Sequence, residues 1–189
     1  MIGKFHIIEI IKDGHRSLYT DIDGYVRSKL SKILMFDILP LLIALLMVFL
    51  SNFSEKLSSF SSDILTGISI FSGLLFSVII VIVDKAKVRK AEMIDNKNDE
   101  IKIHLSKYLL FSEQLVSQIS LAIFTSFLVI ISLISSLISI QNIDIPVFII
   151  ESLSFLGVVS IIYFSIQFFI LLLVIISGMY SIFVSEISN

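Results

Sequence analysis

The residues of this sequence that could take part in catalysis or metal binding are few and far apart. Its three histidines, His6, His15 and His104, are dispersed along the chain, and no HExxH motif or carboxylate cluster accompanies them. The chain has no cysteine, which excludes disulfides, thiolate metal sites and a cysteine nucleophile. It also lacks a Gly-rich phosphate loop and a GxSxG motif. The sequence therefore predicts a protein that is not an enzyme, with no catalytic residue, no bound cofactor and no metal ion.

Two acidic features remain, and each has an ordinary interpretation beside a functional one. The segment DIDG at 21–24 resembles the start of a calcium-binding loop, but the ligands at positions nine and twelve of such a loop are missing, which favours a turn. Asp37 lies in an apolar segment, three residues before Pro40. A carboxylate in lipid is costly and normally faces protein or water. The sequence favours an interfacial Asp37 within reach of Lys29 or Lys32, and leaves open an ion or proton site at a pore mouth.

The composition is that of a membrane protein. Hydrophobic residues make up 56% of the chain and charged residues 16%, whereas about a quarter of a soluble domain is charged. The mean hydropathy is +1.01. The run at 64–83 holds twenty residues without a charge, and a helix of about twenty residues crosses a hydrocarbon layer roughly 30 Å thick. The chain is therefore predicted to be an integral membrane protein of the all-α class.

The apolar runs predict a polytopic membrane protein with four transmembrane helices arranged as two hairpins. Crossings are expected at 33–50, 64–83 and 115–140, and a fourth within 149–185. The fourth run is too long for one perpendicular crossing, so it tilts, extends beyond the bilayer, or has a joint at Gly157 between a short outer-surface helix and the true span. The resulting organisation is an N-terminal arm at 1–32, a first hairpin at 33–83, a basic loop at 84–114 and a second hairpin with a short cytoplasmic tail at 115–189.

Basic residues are distributed unevenly between the predicted sides of the membrane. Six lie in 1–32 and seven in 84–114, whereas Lys56 is alone between the first two crossings. By the positive-inside rule, both termini and the loop at 84–114 are predicted to be cytoplasmic. Helix formers continue the second crossing into this loop until the turn residues at 95–99 interrupt it, which predicts a projecting helical hairpin. Residues predicted to contact the anionic leaflet or a soluble partner protein are Lys85, Lys87, Arg89 and Lys90.

The N-terminal arm mixes acids and bases with short apolar stripes. It lacks the unbroken apolar core of a signal peptide. One stripe consists of Ile7, Ile8, Ile10 and Ile11. This pattern predicts an amphipathic helix that lies on the membrane surface or on a partner. The net charge of −2 argues against binding to nucleic acid.

Small residues on the second crossing recur at helical spacing. They are separated by three or four residues and fall on one face of the helix. In lipid, small side chains let two helices approach closely and gain dispersion contacts. This pattern predicts a seam for helix packing and homo-oligomerisation, formed by Thr66, Ser69, Gly73 and Ser77.

The third crossing carries a polar stripe, with Ser126 on the opposite side of the helix. Such side chains either hydrogen-bond neighbouring helices and backbone carbonyls or line a wet path through the membrane. Packing is the favoured interpretation, because hydroxyls commonly join helices in lipid. Gln167 on the fourth helix is another deep polar group that needs a partner. The stripe and its flanking residues are Gln114, Ser117, Gln118, Thr125, Ser132, Ser135, Ser136 and Ser139.

The segments ISIFSGLLFSVIIVIVDKAKVRK and LLFSEQLVSQISLAIFTSFLVI, separated by the basic loop, resemble small four-span membrane proteins of bacterial anti-phage defence systems, such as the Kiwa membrane-subunit type. The resemblance covers roughly residues 64–140. It implies a multi-pass oligomer in the cell inner membrane that works with a cytoplasmic partner to sense infection or damage the host membrane. It assigns no function to an individual residue.

Three hypotheses for function follow from these features. The first is a non-enzymatic, homo-oligomeric membrane effector, sensor or anchor for a cytoplasmic partner. The second is an ion channel or pore lined by the third-helix hydroxyls. The third is an accessory subunit of a larger membrane transporter.

Overall fold

The computed structural model describes residues 7–19, 30, 33–50, 53–137 and 147–187, and their regular elements are all helices. Helix α1 is Ile7–Tyr19. A π-helical turn, Leu34–Ile38, leads directly into α2, Leu39–Leu50. The three long helices are α3, Phe53–Asp95, α4, Asp99–Leu137, and α5, Val147–Ile187. The predicted all-α class is confirmed.

Among the described residues, three helices are long and apolar enough to cross a membrane. The corresponding stretches are Ser61–Asp95, Asp99–Ser136 and Ser152–Ser181. Leu34–Leu50, where the sequence placed the first of four crossings, is a shorter apolar helix of 17 residues. Three long apolar helices therefore support the prediction of a helical membrane protein.

Helices α3 and α4 form a long hairpin. Helix α3 has 43 residues, so at 1.5 Å per residue it is roughly 65 Å long, about twice the thickness of the hydrocarbon layer. The chain turns at 96–98, where the backbone N–H of Asn98 donates to the Asn96 side chain at 3.0 Å. The Asn98 side chain in turn accepts from the N–H of Glu100 at 3.0 Å and caps the start of α4. The turn lies where the sequence predicts it, because Asn side chains replace the missing helical hydrogen bonds.

Helix α4 is at the centre of the bundle. It packs against α1, α3 and α5, while α2 packs against α5. Large apolar side chains that are almost fully buried lie mainly on α4 and α5 and include Leu115, Ile119, Val129, Ile161, Phe168 and Leu171. The core is therefore formed chiefly between these two helices.

Helix α5 is continuous over 41 residues and passes through Gly157 without a break. The alternative of a joint at this glycine is therefore wrong. A Cβ built on Gly157 would have no neighbour within 4 Å, so no close contact requires a glycine there. With about 60 Å of continuous helix, α5 must tilt or extend beyond a 30 Å hydrocarbon layer.

The π-helical turn before α2 has a local cause in Pro40. Proline has no N–H to donate, and its ring clashes with the carbonyl of the residue four positions earlier, here Phe36. The N–H of Leu39 donates to the carbonyl of Leu34, five residues back. This wider turn absorbs the irregularity and lies around Asp37, and π-helical turns are often found at functional positions.

Candidate functional site

Helix α1 packs against α4 through a close contact at Gly14. A Cβ added to Gly14 would lie 2.7 Å from the Cβ of Leu121, so only glycine fits. One turn later, the side-chain amide of Gln118 donates to the carbonyl of Ser17 at 3.3 Å. Leu18 is 5% exposed in the same contact region. Helix α1 therefore docks on α4 of its own chain; its predicted contact with a membrane surface or a partner stays a prediction.

The face of α1 that is buried differs from the apolar stripe seen in the sequence. Ile8 is 81% exposed, and Ile7 and Ile10 are about 40% exposed. Gly14, Ser17 and Leu18 are buried instead. The isoleucine stripe thus remains an apolar surface at the start of α1.

Asp37 lies at the junction of α1, the π-helical turn and α5. It is half-buried, and the Tyr19 phenol hydrogen-bonds its carboxylate. Tyr163 of α5 lies within electrostatic range of the same carboxylate. Burial raises the pKa of the Tyr19 phenol, and the negative charge of Asp37 raises it further. Lys29 and Lys32, the predicted partners of Asp37, lie outside the described residues.

A pair of serine hydroxyls joins α3 to α4. The Ser72 and Ser126 oxygens are 2.8 Å apart. Ser126 also donates to the carbonyl of Ile123 at 2.6 Å. Sequence reasoning missed this pair, because Ser72 lies off the small-residue seam and Ser126 lies opposite the polar stripe. Nothing in one-dimensional spacing indicates which two helices meet.

In the described part of the chain, the small-residue seam of α3 is left uncovered. Thr66, Ser69, Gly73 and Ser77 are all exposed. A Cβ on Gly73 would have no neighbour within 4 Å, and the Ser77 hydroxyl donates to the Gly73 carbonyl at 3.3 Å. Helix α3 packs on α4 and its neighbours with another face, formed by Ile68, Ser72, Leu75 and Ile82.

The polar stripe of α4 has mixed surroundings. Thr125 is 3% exposed and donates to the carbonyl of Leu121 at 2.9 Å. Ser136 donates to the carbonyl of Leu133 at 2.8 Å and is exposed. Such bonds to the preceding turn satisfy a hydroxyl within its own helix. The remaining members are Gln118, bonded to α1, half-buried Gln114, Ser117 and Ser132, exposed Ser135, and Ser139, which lies outside the described residues. Gln167 is half-buried on α5.

The predicted basic contact residues have different surroundings at the end of α3. Lys87 binds Asp84 at 3.2 Å. Arg89 binds Glu92 at 2.9 Å, and its guanidinium lies 5.8 Å from the centre of the Tyr108 ring. Lys90 is exposed. Lys85 lines an apolar groove between the long helices.

This groove, called the Lys85 groove below, has a volume of about 450 Å³. Its walls come from all three long helices and include Leu74, Val81, Lys85, Tyr108, Leu115 and Met179. A second groove of about 430 Å³, called the Asp63 groove, is formed by α2, α3 and α5 and includes Met47, Asp63, Gly67 and Ser165. In the described part of the chain, the buried Ser165 hydroxyl has no hydrogen-bond partner.

The described polar groups bond mainly to nearby backbone carbonyls. Within residues 7–19, 33–50, 53–137 and 147–187, no group of three or more His, Asp or Glu side chains comes close enough to hold a metal ion. Most of the hydroxyls with a hydrogen bond donate to a carbonyl of their own helix. Compared with known proteins, the chain matches no family model, no curated protein and no solved structure.

Proposed function

We propose that this chain is a non-enzymatic membrane protein that assembles with copies of itself and anchors or senses a cytoplasmic partner. The observation that carries the proposal is the uncovered seam of α3. Only 17% of the apolar stretch of α3 is buried within the chain, compared with 44% for α4 and 39% for α5. The uncovered side includes the seam. A second helix can approach closely there, because a Cβ built on Gly73 would have no neighbour within 4 Å.

The proposed topology has four crossings of a bacterial inner membrane, and both termini lie in the cytoplasm. Leu34–Leu50 has 17 residues, which is at the lower limit of the roughly 17–25 that span a bilayer. Thirteen of the fourteen basic residues lie in 1–32 and 84–114, which supports placing both segments on the same, cytoplasmic side.

The proposed partner contact is the end of the α3–α4 hairpin. Beyond Asp84, α3 continues for about three turns to Asp95, and its exposed charges are accessible from the aqueous phase. A sensor or effector role in anti-phage defence rests on the resemblance described above. The hairpin offers a rigid helical surface for such a partner, because α3 continues without interruption from the membrane segment.

Gly73→Leu tests the assembly directly. The leucine fits within one chain but occupies the space that a second helix would need, so we expect wild type to cross-link as an oligomer in the membrane and the variant to remain monomeric. Gly67→Leu is the matched control, because Gly67 also lies on α3 with no neighbour within 4 Å of its Cβ and is not part of the seam. A monomeric wild type, or an oligomer unaffected by Gly73→Leu, would contradict the proposal.

A further inference from the structure

We propose that the Lys85 groove binds one acyl chain of an anionic phospholipid, with the lipid phosphate at Lys85. The groove is formed within a single chain, and its wall includes Ser77, which also belongs to the seam of α3, so lipid binding is compared between variants in the same oligomeric state. Its floor is apolar, and its charged wall residue is at the end where the apolar run of α3 stops. An apolar groove with a cation at one end matches the two parts of a phospholipid.

The length of the groove fits one leaflet. Leu74 and Lys85 are eleven residues apart on the continuous helix α3, which corresponds to about 16 Å at 1.5 Å per residue. Half of the hydrocarbon layer is about 15 Å. An acyl chain lying along the groove would therefore extend from the headgroup level at Lys85 to the middle of the bilayer near Leu74.

The charges around the mouth of the groove favour an anionic headgroup. Lys85 lies on the wall, and Arg89, one turn further along α3, lies over the Tyr108 ring that forms the opposite side. Two acids on this part of α3 have basic partners: Asp84 binds Lys87, and Glu92 binds Arg89. The segment from Asp84 to Glu92 contains four basic and two acidic residues. Basic pockets between transmembrane helices are a recurring way to hold anionic headgroups.

The Asp63 groove provides an internal contrast. It has nearly the same volume and an equally apolar wall, but its charged residue is an aspartate. An anionic lipid should therefore discriminate between two grooves of the same size by charge alone. This difference separates specific binding at Lys85 from general adhesion of lipid to an apolar surface.

The experiment measures binding of phosphatidylglycerol and phosphatidylcholine with identical acyl chains to the purified full-length protein by native mass spectrometry. We expect wild type to prefer phosphatidylglycerol and Lys85→Gln to reduce that preference about fivefold, which corresponds to about 1 kcal/mol for one charge near the surface. Lys85→Arg should retain the preference. Lys97→Gln is the matched charge control, because Lys97 is exposed at the end of the α3–α4 hairpin, twelve residues beyond Lys85, and it should leave the preference unchanged.

Two further variants test the acyl-chain part of the groove. Val81 is 56% exposed, so Val81→Phe is accommodated by the fold and should fill the groove and weaken binding of both lipids. Gly67→Phe fills the Asp63 groove and should leave the preference for phosphatidylglycerol unchanged. Unchanged circular dichroism spectra would establish that all variants are folded. Equal losses for Lys85→Gln and Lys97→Gln, full binding by Val81→Phe, or a change of oligomeric state in place of lipid binding would each overturn the proposal.

Discussion

Gly14 of α1 and Leu121 of α4 are in contact so closely that a single added methyl group at position 14 would lie 2.7 Å from the Leu121 Cβ. The obstructing atom is a Cβ, which is attached to the backbone and cannot rotate away. The position of α1 therefore depends on the absence of a side chain at Gly14.

Gly14→Ala should release α1 from the bundle. Overpacking of this kind typically costs about 1–3 kcal/mol, more than the roughly 1 kcal/mol that alanine gains over glycine in a helix. Trypsin cleavage after Lys12 and Arg16, both exposed on α1, should become faster in the variant. Gly157→Ala is the control, because its Cβ meets no neighbour, and its cleavage rate should equal that of wild type. Equal rates for Gly14→Ala and wild type would show that α1 is not held by this contact.

The Ser72–Ser126 pair should contribute only modestly to stability. Ser126 donates its proton to the Ile123 carbonyl, so it accepts from Ser72, whose single proton is shared with the Ile68 carbonyl at 2.7 Å. A double-mutant cycle with Ser72→Ala and Ser126→Ala should give a coupling of about 0.6 kcal/mol, the average for hydrogen bonds between membrane helices. Unfolding in mixed micelles measures this value. A coupling indistinguishable from zero would place the two hydroxyls apart in the membrane.

Docking of α1 should weaken at high pH through Tyr19. Burial and the nearby Asp37 raise the pKa of the Tyr19 phenol above its ordinary value of 10.0, so the docked state holds the phenolic proton more tightly than the undocked state. The stabilisation is fully present below pH 10 and is lost as the pH rises through the raised pKa. The tyrosinate absorbance of wild type minus that of Tyr19→Phe measures the titration. Asp37→Asn should move the midpoint toward the ordinary value, and an unchanged midpoint would mean that the two groups do not interact.

Pro40→Ala should straighten the turn before α2. The alanine restores an N–H donor and removes the clash with the Phe36 carbonyl, so the π-helical turn should revert to α-helix. Tightening the π-helical turn to α-helical geometry rotates Asp37 by about 100° relative to α2. This rotation separates Asp37 from Tyr19. The Tyr19 pKa should then fall, as measured by the same absorbance titration. A pKa equal to that of wild type would indicate that contacts with Tyr19 and α5, and not proline, maintain the π-helical turn.

Much of the fold follows from local properties of the sequence. The helical class, the three long apolar helices and the turn at 96–98 were predictable, because the length of an apolar run and the turn-forming tendency of asparagine act over a few residues. The contacts between helices at the candidate site could not be predicted in this way. Gly14 and Leu121 are more than a hundred residues apart, and neither residue type indicates a contact.

What the sequence alone determined is which segments form long apolar helices and where small and polar residues lie on each helix. What only the tertiary structure decided is which faces meet: α3 packs through Ile68, Ser72 and Leu75 and leaves Gly73 uncovered. The physical reason is that lipid is as apolar as the helix surfaces, so hydropathy does not select one face over another. The choice depends on shape and hydrogen bonding between helices that are distant in the chain.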